Sequence, residues 1–153
     1  RTRWITPEDD NFGFAKWVEA NRDELLKLGP GYHYGEWWGA GIQRRYGLTE
    51  KRFSLFNTTR WCLHSETPKN IPTEDPRVVK TQKVLPVCVG LVPVLYSGLF
   101  KTSAVEAQLV KLQEQGSMAA AGFMKPEGVV IYHVAANIFF KVTLENDEKP
   151  KSK

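Results

Sequence analysis

Cysteine is nearly absent from this chain: Cys62 and Cys88 stand alone and form neither a Cys-x-x-Cys pair nor a metal-spaced cluster. A disulfide scaffold is thereby excluded as the source of stability, and reduced thiols in a cytoplasmic protein are expected. Long apolar runs are also missing. The longest uncharged stretch, Val84 to Phe100, falls short of the roughly 20 residues that a membrane helix needs, and Pro86 and Pro93 interrupt it. It reads as buried strand, and no membrane partner is expected. Neither sign of charge dominates: 21 Lys and Arg against 17 Asp and Glu leave +4, which permits a polyanionic partner without requiring one. No HExxH, no GxSxG, no glycine-rich phosphate loop and no internal repeat occurs. The opening Arg1-Thr2-Arg3-Trp4 has no methionine and no signal peptide, so a piece of a longer protein is expected.

What is present is ordinary globular material. Hydrophobic residues make up 42% and charged residues 25% of 153, enough for one domain with a real core. Asp9-Asp10-Asn11 supplies N-cap candidates, and the spacing of Phe14, Trp17, Val18, Leu25, Leu26 and Leu28 predicts one amphipathic helix stopping at Gly29-Pro30-Gly31. Tyr32 to Trp38 reads as an aromatic strand, Gly39 to Lys51 as a polar loop, and Arg52 to Thr58 as a second strand that Arg60 to Leu63 extends. Pro68 and Pro72 mark Glu66 to Asp75 as a loop, and the valines of Val84 to Tyr96 predict a strand broken near Pro93. Ser103-Ala104-Val105-Glu106 has the form of a capping box, opening a helix that runs to Gln115 before Gly116. Glu127 to His133 and Ile138 to Thr143 read as a hairpin joined by Val134-Ala135-Ala136-Asn137. The sum is an α+β fold with antiparallel pairing over residues 1–144 and a charged tail over 145–153.

A few side chains stand out for chemistry. Glu36, in Gly35-Glu36-Trp37-Trp38-Gly39, is a carboxylate among aromatics on a strand. Buried, it needs a partner such as a ribose hydroxyl or a metal-bound water; at a strand end it simply faces solvent. Glu127 enters an apolar strand beside Gly128, and the hairpin sets it near Lys141 at one end of a sheet. An acid and a base so placed serve a metal and a phosphate, or else form a cross-strand ion pair of ~0.2–1 kcal/mol. Gln43-Arg44-Arg45 offers phosphate contacts, and a solvated turn accounts for it equally. His33, His64 and His133 lack ligand spacing and read as packing or surface residues.

In order and spacing, GEWWGAGIQRRYGL (Gly35 to Leu48), RFSLFNTTRW (Arg52 to Trp61), PEGVVIYH (Pro126 to His133) and FKVTLENDEKPK (Phe140 to Lys151) resemble the RNA ligase family. That family belongs to the covalent nucleotidyltransferase superfamily, and the likeness is to its bacterial and phage RNA ligase-like members. The resemblance covers nearly the whole chain. It implies an ATP-grasp-like adenylyltransferase fold of antiparallel sheets around a nucleotide cleft. It also implies transfer of AMP from ATP, with Mg²⁺ or Mn²⁺, to a lysine, then to an RNA 5′-phosphate, and sealing to a 3′-OH.

By motif, Glu36 matches the ribose-contacting acid and Phe56 the aromatic that stacks on adenine, with Phe53 as a second candidate. Glu127 matches the metal-positioning acid, Lys141 the lysine on the α-phosphate, and Arg1 and Arg3 the arginine segment that meets phosphate or the RNA end. Arg44 joins the phosphate-contacting set. Two departures accompany the match. No Lys-x-Asp-Gly nucleophile motif is present, so the chain is expected to be the C-terminal part of a ligase domain, with open sheet edges and without self-adenylation. The terminal Lys-x-Lys of many relatives reads Lys141-Val142-Thr143. A non-catalytic nucleotide- or RNA-binding module derived from such a ligase is the alternative expectation.

Overall fold

Phe14 and Trp17 lie three residues apart, one turn of helix, and this places both rings on the same side of α1 (Phe14–Ala20). There they meet Trp37 and Phe53, with ring centroids 5.1–5.8 Å apart across the four residues. The computed structural model that shows this describes residues 4–10, 12–71 and 73–145. The chain divides into two compact units, Arg1–Val92 and Pro93–Lys153. Both are built from short helices and small sheets, a mixed α+β architecture.

In the first unit the expected single helix is two. Asn21 leaves helical geometry at φ −112°, and its backbone N–H and its side-chain amide both donate to Trp17 O. That closes α1, and α2 (Arg22–Leu26) begins immediately after. Strand β1 (Gly35–Gly39) pairs antiparallel with β2 (Lys51–Leu55), Trp37 opposite Phe53 and Glu36 opposite Ser54. Short pieces follow: β3 (Trp61–Cys62), β4 (Asn70–Ile71), β5 (Lys80–Thr81), β6 (Lys83–Val84) and β7 (Gly90–Leu91). β7 adds to β2 in parallel, giving the order β1-β2-β7; β6 pairs in parallel with β3, and β4 pairs antiparallel with β5.

Trp61 therefore opens a strand of its own instead of extending β2, and the apolar Val84–Tyr96 stretch yields only two-residue pieces. Only part of it is core: Leu85 and Val89 join Leu28, Phe53, Leu55 and Trp61 in the buried cluster, while Val84, Val87, Val94 and Tyr96 are exposed, so the stretch is not the buried strand expected. Cys62 is buried and Cys88 half-buried; both are free thiols, and burial raises the pKa of Cys88.

The second unit holds α3 (Thr102–Gln115), β8 (Gly128–His133) and β9 (Ile138–Thr143). The helix ends at Gly116 as expected, but its start is not a capping box. Lys101 is the extended N-cap and Ser103 already lies inside the first turn. β8 and β9 form the expected hairpin with Val129 opposite Val142 and Tyr132 opposite Phe139. Asn137 takes the left-handed position of the turn (φ 51°), a conformation its short polar side chain tolerates. Leu112 of α3, Ala120 and Val129 are buried, while Val130 and Phe139 remain exposed on the outer face of the hairpin. Beyond Glu145 the charged tail lies outside the described residues. Among the described residues no helix is long and apolar enough to cross a membrane.

Candidate functional site

Strand alternation divides the β1–β2 ladder into two faces. Trp37, Phe53 and Leu55 point to the aromatic and aliphatic core. Glu36, Trp38 and Ser54 point the other way, and the N–H of Phe56 donating to Tyr34 O (3.0 Å) extends the ladder by one pair on that second face. Glu36 and Phe56 thus share a face, both exposed. The two phenylalanines that sequence alone left open are separated here: Phe53 is 8% exposed and packed between Phe14 and Trp17, so only Phe56 keeps an open ring surface.

Gly35 explains how tightly this ladder closes, since a Cβ there would lie 2.5 Å from Ser54 O. Trp38 anchors the second face. Its indole N–H donates to Ser54 Oγ (3.0 Å), Tyr46 meets its ring edge-on at 5.3 Å, and the Arg52 guanidinium lies over it at 6.0 Å. Sequence reading did not find the Trp38–Ser54–Tyr46–Arg52 group; the alternation of Trp38 with Glu36, in register with Ser54, was the available signal.

Arg44 sits in the connecting loop, where Arg44, Arg45 and Tyr46 run consecutively at positive φ (62°, 53° and 50°). Left-handed backbone costs a non-glycine residue about 1–2 kcal/mol, so the loop stores strain beside Trp38. The turn is held by Arg45 N–H to Ile42 O (2.9 Å) and Leu48 N–H to Arg45 O (3.0 Å). At its base Arg52 pairs with Glu50, with Nη2 2.6 Å and Nε 2.8 Å from the same oxygen.

In the second unit the hairpin brings Glu127 and Lys141 together. Lys141 Nζ lies 2.5 Å from Glu127 Oε1, and Leu144 N–H to Glu127 O (2.9 Å) fixes the open end of the ladder. Gly128 allows this closure: a Cβ would stand 2.0 Å from Val142 O. Among the described residues no group of three or more His, Cys, Asp or Glu is arranged to hold a metal ion. Glu127, the residue matched to the metal-positioning acid, is partly exposed and has Lys141 as its charged partner.

Two of the three histidines behave as packing and turn residues, and His64 is exposed. His33 Nε2 is 3.0 Å from Gly29 O with its ring against Trp61; His133 Nδ1 accepts the Ala136 N–H and its ring meets Phe100. Arg1 and Arg3 lie outside the described residues. Glu36, Phe56 and Arg44 belong to the first unit, Glu127 and Lys141 to the second. No family model, no curated protein and no solved structure matches this chain.

Proposed function

We propose that this chain carries the nucleotide-contacting part of an ATP-dependent RNA ligase with an ATP-grasp-like nucleotidyltransferase fold. In this reading Glu36 accepts a hydrogen bond from the ribose, Phe56 supplies a flat apolar surface for the adenine, and Lys141 meets the α-phosphate. Glu127 would hold Mg²⁺ or Mn²⁺, which when bound offsets the negative charge that develops on the transferred phosphoryl group. Arg1, Arg3 and Arg44 are assigned to phosphates of the RNA. The observation that supports the reading most is the Glu127–Lys141 contact. It joins the two residues that the resemblance assigns to metal and phosphate.

No lysine of the chain stands in a Lys-x-Asp-Gly motif, and this favours a second reading, a binding module without chemistry. One experiment separates them. The purified chain is incubated with radiolabelled ATP and Mg²⁺ and examined for retained nucleotide and, by intact mass, for covalent AMP. The expected result is ATP retained non-covalently, with retention lost in Glu36→Ala and Phe56→Ala. Fusing a Lys-x-Asp-Gly segment ahead of Arg1 then restores the AMP adduct and sealing of 5′-phosphorylated RNA. A fused chain that binds ATP but takes up no AMP leaves the binding module standing. A chain that retains no ATP overturns both.

A further inference from the structure

The loop that joins β1 to β2 keeps a strain that glycine would remove. Arg44, Arg45 and Tyr46 hold positive φ, and Gly47 continues the run at 69°. Glycine takes this conformation freely and arginine does not, yet two arginines occupy it. The turn is pinned at Tyr46, whose N–H donates to Arg44 O (2.6 Å) and whose ring meets Trp38 edge-on. Arg45 precedes Tyr46 and is exposed, and no described residue pairs with its guanidinium. Strain of this kind clusters at ligand clamps and active sites.

The charge in this segment is one-sided. Between Gly39 and Arg52 stand four basic residues, Arg44, Arg45, Lys51 and Arg52, and one acidic residue, Glu50. Lys51 is turned to the core face, its Nζ donating to Phe12 O (2.7 Å). Arg52 is opposite Trp38 in the ladder and lies over its ring, on the face of Glu36 and Ser54. Its Nε and Nη2 share a single oxygen of Glu50, and Nη1 bonds to no described residue. Four residues along the chain from Arg52, about 13 Å away, Phe56 opens its ring on the same face. Directly opposite Phe56 is Tyr34, 69% exposed and stacked on the exposed Tyr32. Cations at one end of a face and flat rings at the other suit an extended ligand that carries both anions and flat rings, a single-stranded polynucleotide. An acidic peptide would match the arginines but leave the rings without flat partners, and a duplex closes its base faces.

We infer that Arg45 and Arg52 form a phosphate-binding end to the Glu36–Phe56 face, each taking a backbone phosphate of a single-stranded polynucleotide. The strained turn holds Arg45 out in solvent for this contact. The inference deepens the ligase reading, adding to Arg44 two residues that hold the strand, and rests on that reading for the identity of the strand as RNA.

The test is fluorescence anisotropy of the full chain with a labelled ten-nucleotide RNA and with its duplex, over a range of salt. Arg45→Gln and Arg52→Gln are each expected to lower the slope of log affinity against log salt by about 0.7, and together by about 1.4. The double variant should bind at least about tenfold more weakly at low salt. Arg45→Lys keeps the slope, and so does Lys111→Gln on α3, which controls for net charge. Arg45→Gly separates binding from a merely structural role: it relieves the strain and should melt higher, yet bind as weakly as Arg45→Gln. Affinity within twofold of native in the double variant or in Arg45→Gly would overturn the inference. So would an equal loss in Lys111→Gln, or duplex bound as tightly as single strand. ATP retention by the native chain, measured in parallel, reads the ligase proposal separately. If the chain retains no ATP while the double variant still loses RNA, the phosphate subsite stands and the ligase reading falls. If ATP is retained and RNA binds independently of both arginines, the subsite falls alone.

Discussion

Lys141 reaches diagonally across the β8–β9 hairpin to Glu127, Nζ to Oε1 2.5 Å, although its direct strand partner is Val130. Both side chains are substantially open to water, and exposed ion pairs contribute ~0–1 kcal/mol. Glu127→Gln and Lys141→Met are therefore expected to change urea-unfolding stability by less than about 1 kcal/mol. Each should weaken Mg²⁺-dependent ATP retention at least about tenfold, the order expected for losing one charge-assisted contact. Stability loss with undiminished retention would mean the pair only fastens the hairpin.

Trp38 and Ser54 make a smaller but more buried contact. Indole and hydroxyl are paired at 3.0 Å in a setting where each residue is less than a tenth exposed. Ser54→Ala leaves the indole N–H buried without an acceptor, which costs about 1–3 kcal/mol. Ser54→Thr, which keeps the hydroxyl, should cost less unless Gly90, opposite Ser54 on β7, resists the added methyl. Chemical denaturation of the two variants checks the order.

The left-handed run at Arg44-Arg45-Tyr46 predicts a gain. Arg45 is exposed at φ 53°, and glycine relieves the ~1–2 kcal/mol of left-handed strain while adding ~0.4–1 kcal/mol of unfolded-chain entropy. Arg45→Gly should stabilise the chain by about 1 kcal/mol. A lowered melting temperature would show that the Arg45 side chain has a stabilising contact that outweighs the strain.

Legibility in the sequence follows the range of the interaction. The β8–β9 hairpin and the end of α3 were readable because alternation, Asn137 and Gly116 act within a few residues. The same local reading placed Glu127 near Lys141. It failed at Asn21, whose amide folds back onto Trp17 and splits a pattern that periodicity alone joins. It failed again at Ser103, where the helix already begins at Thr102 and the cap position falls on Lys101, two residues before the motif that names a cap. The parallel additions of β7 to β2 and β6 to β3 depend on distant chain segments and leave no local trace. Glu36 and Phe56 were named from motif resemblance, yet their common face follows from a register that only the folded ladder sets. Tyr32 and Tyr34 were read as strand material because aromatic content does not reveal which rings stay exposed.

Acid sensitivity of the first helix gives a last expectation. Asp10 lies ahead of α1 and accepts the N–H of Phe12 (3.2 Å) and that of Ala15, serving as its cap although Gly13 holds the formal cap position. Partial desolvation pushes the Asp10 pKa up, but backbone donors at Ala15, Phe12, Gly13 and Lys16 outweigh it and hold the carboxyl below its usual 3.8. A carboxyl depressed in the folded state adds stability that is present above its unfolded pKa and is lost as pH falls through the folded one. Asp10→Ala should therefore be less stable than the native chain at neutral pH, and the gap should close only on acidification below about pH 4. Paired thermal melts from about pH 7 down to about pH 2.5 measure it. A gap that stays constant over that range would mean Asp10 acts through shape and not through its charge, and the cap assigned to its carboxylate would be wrong.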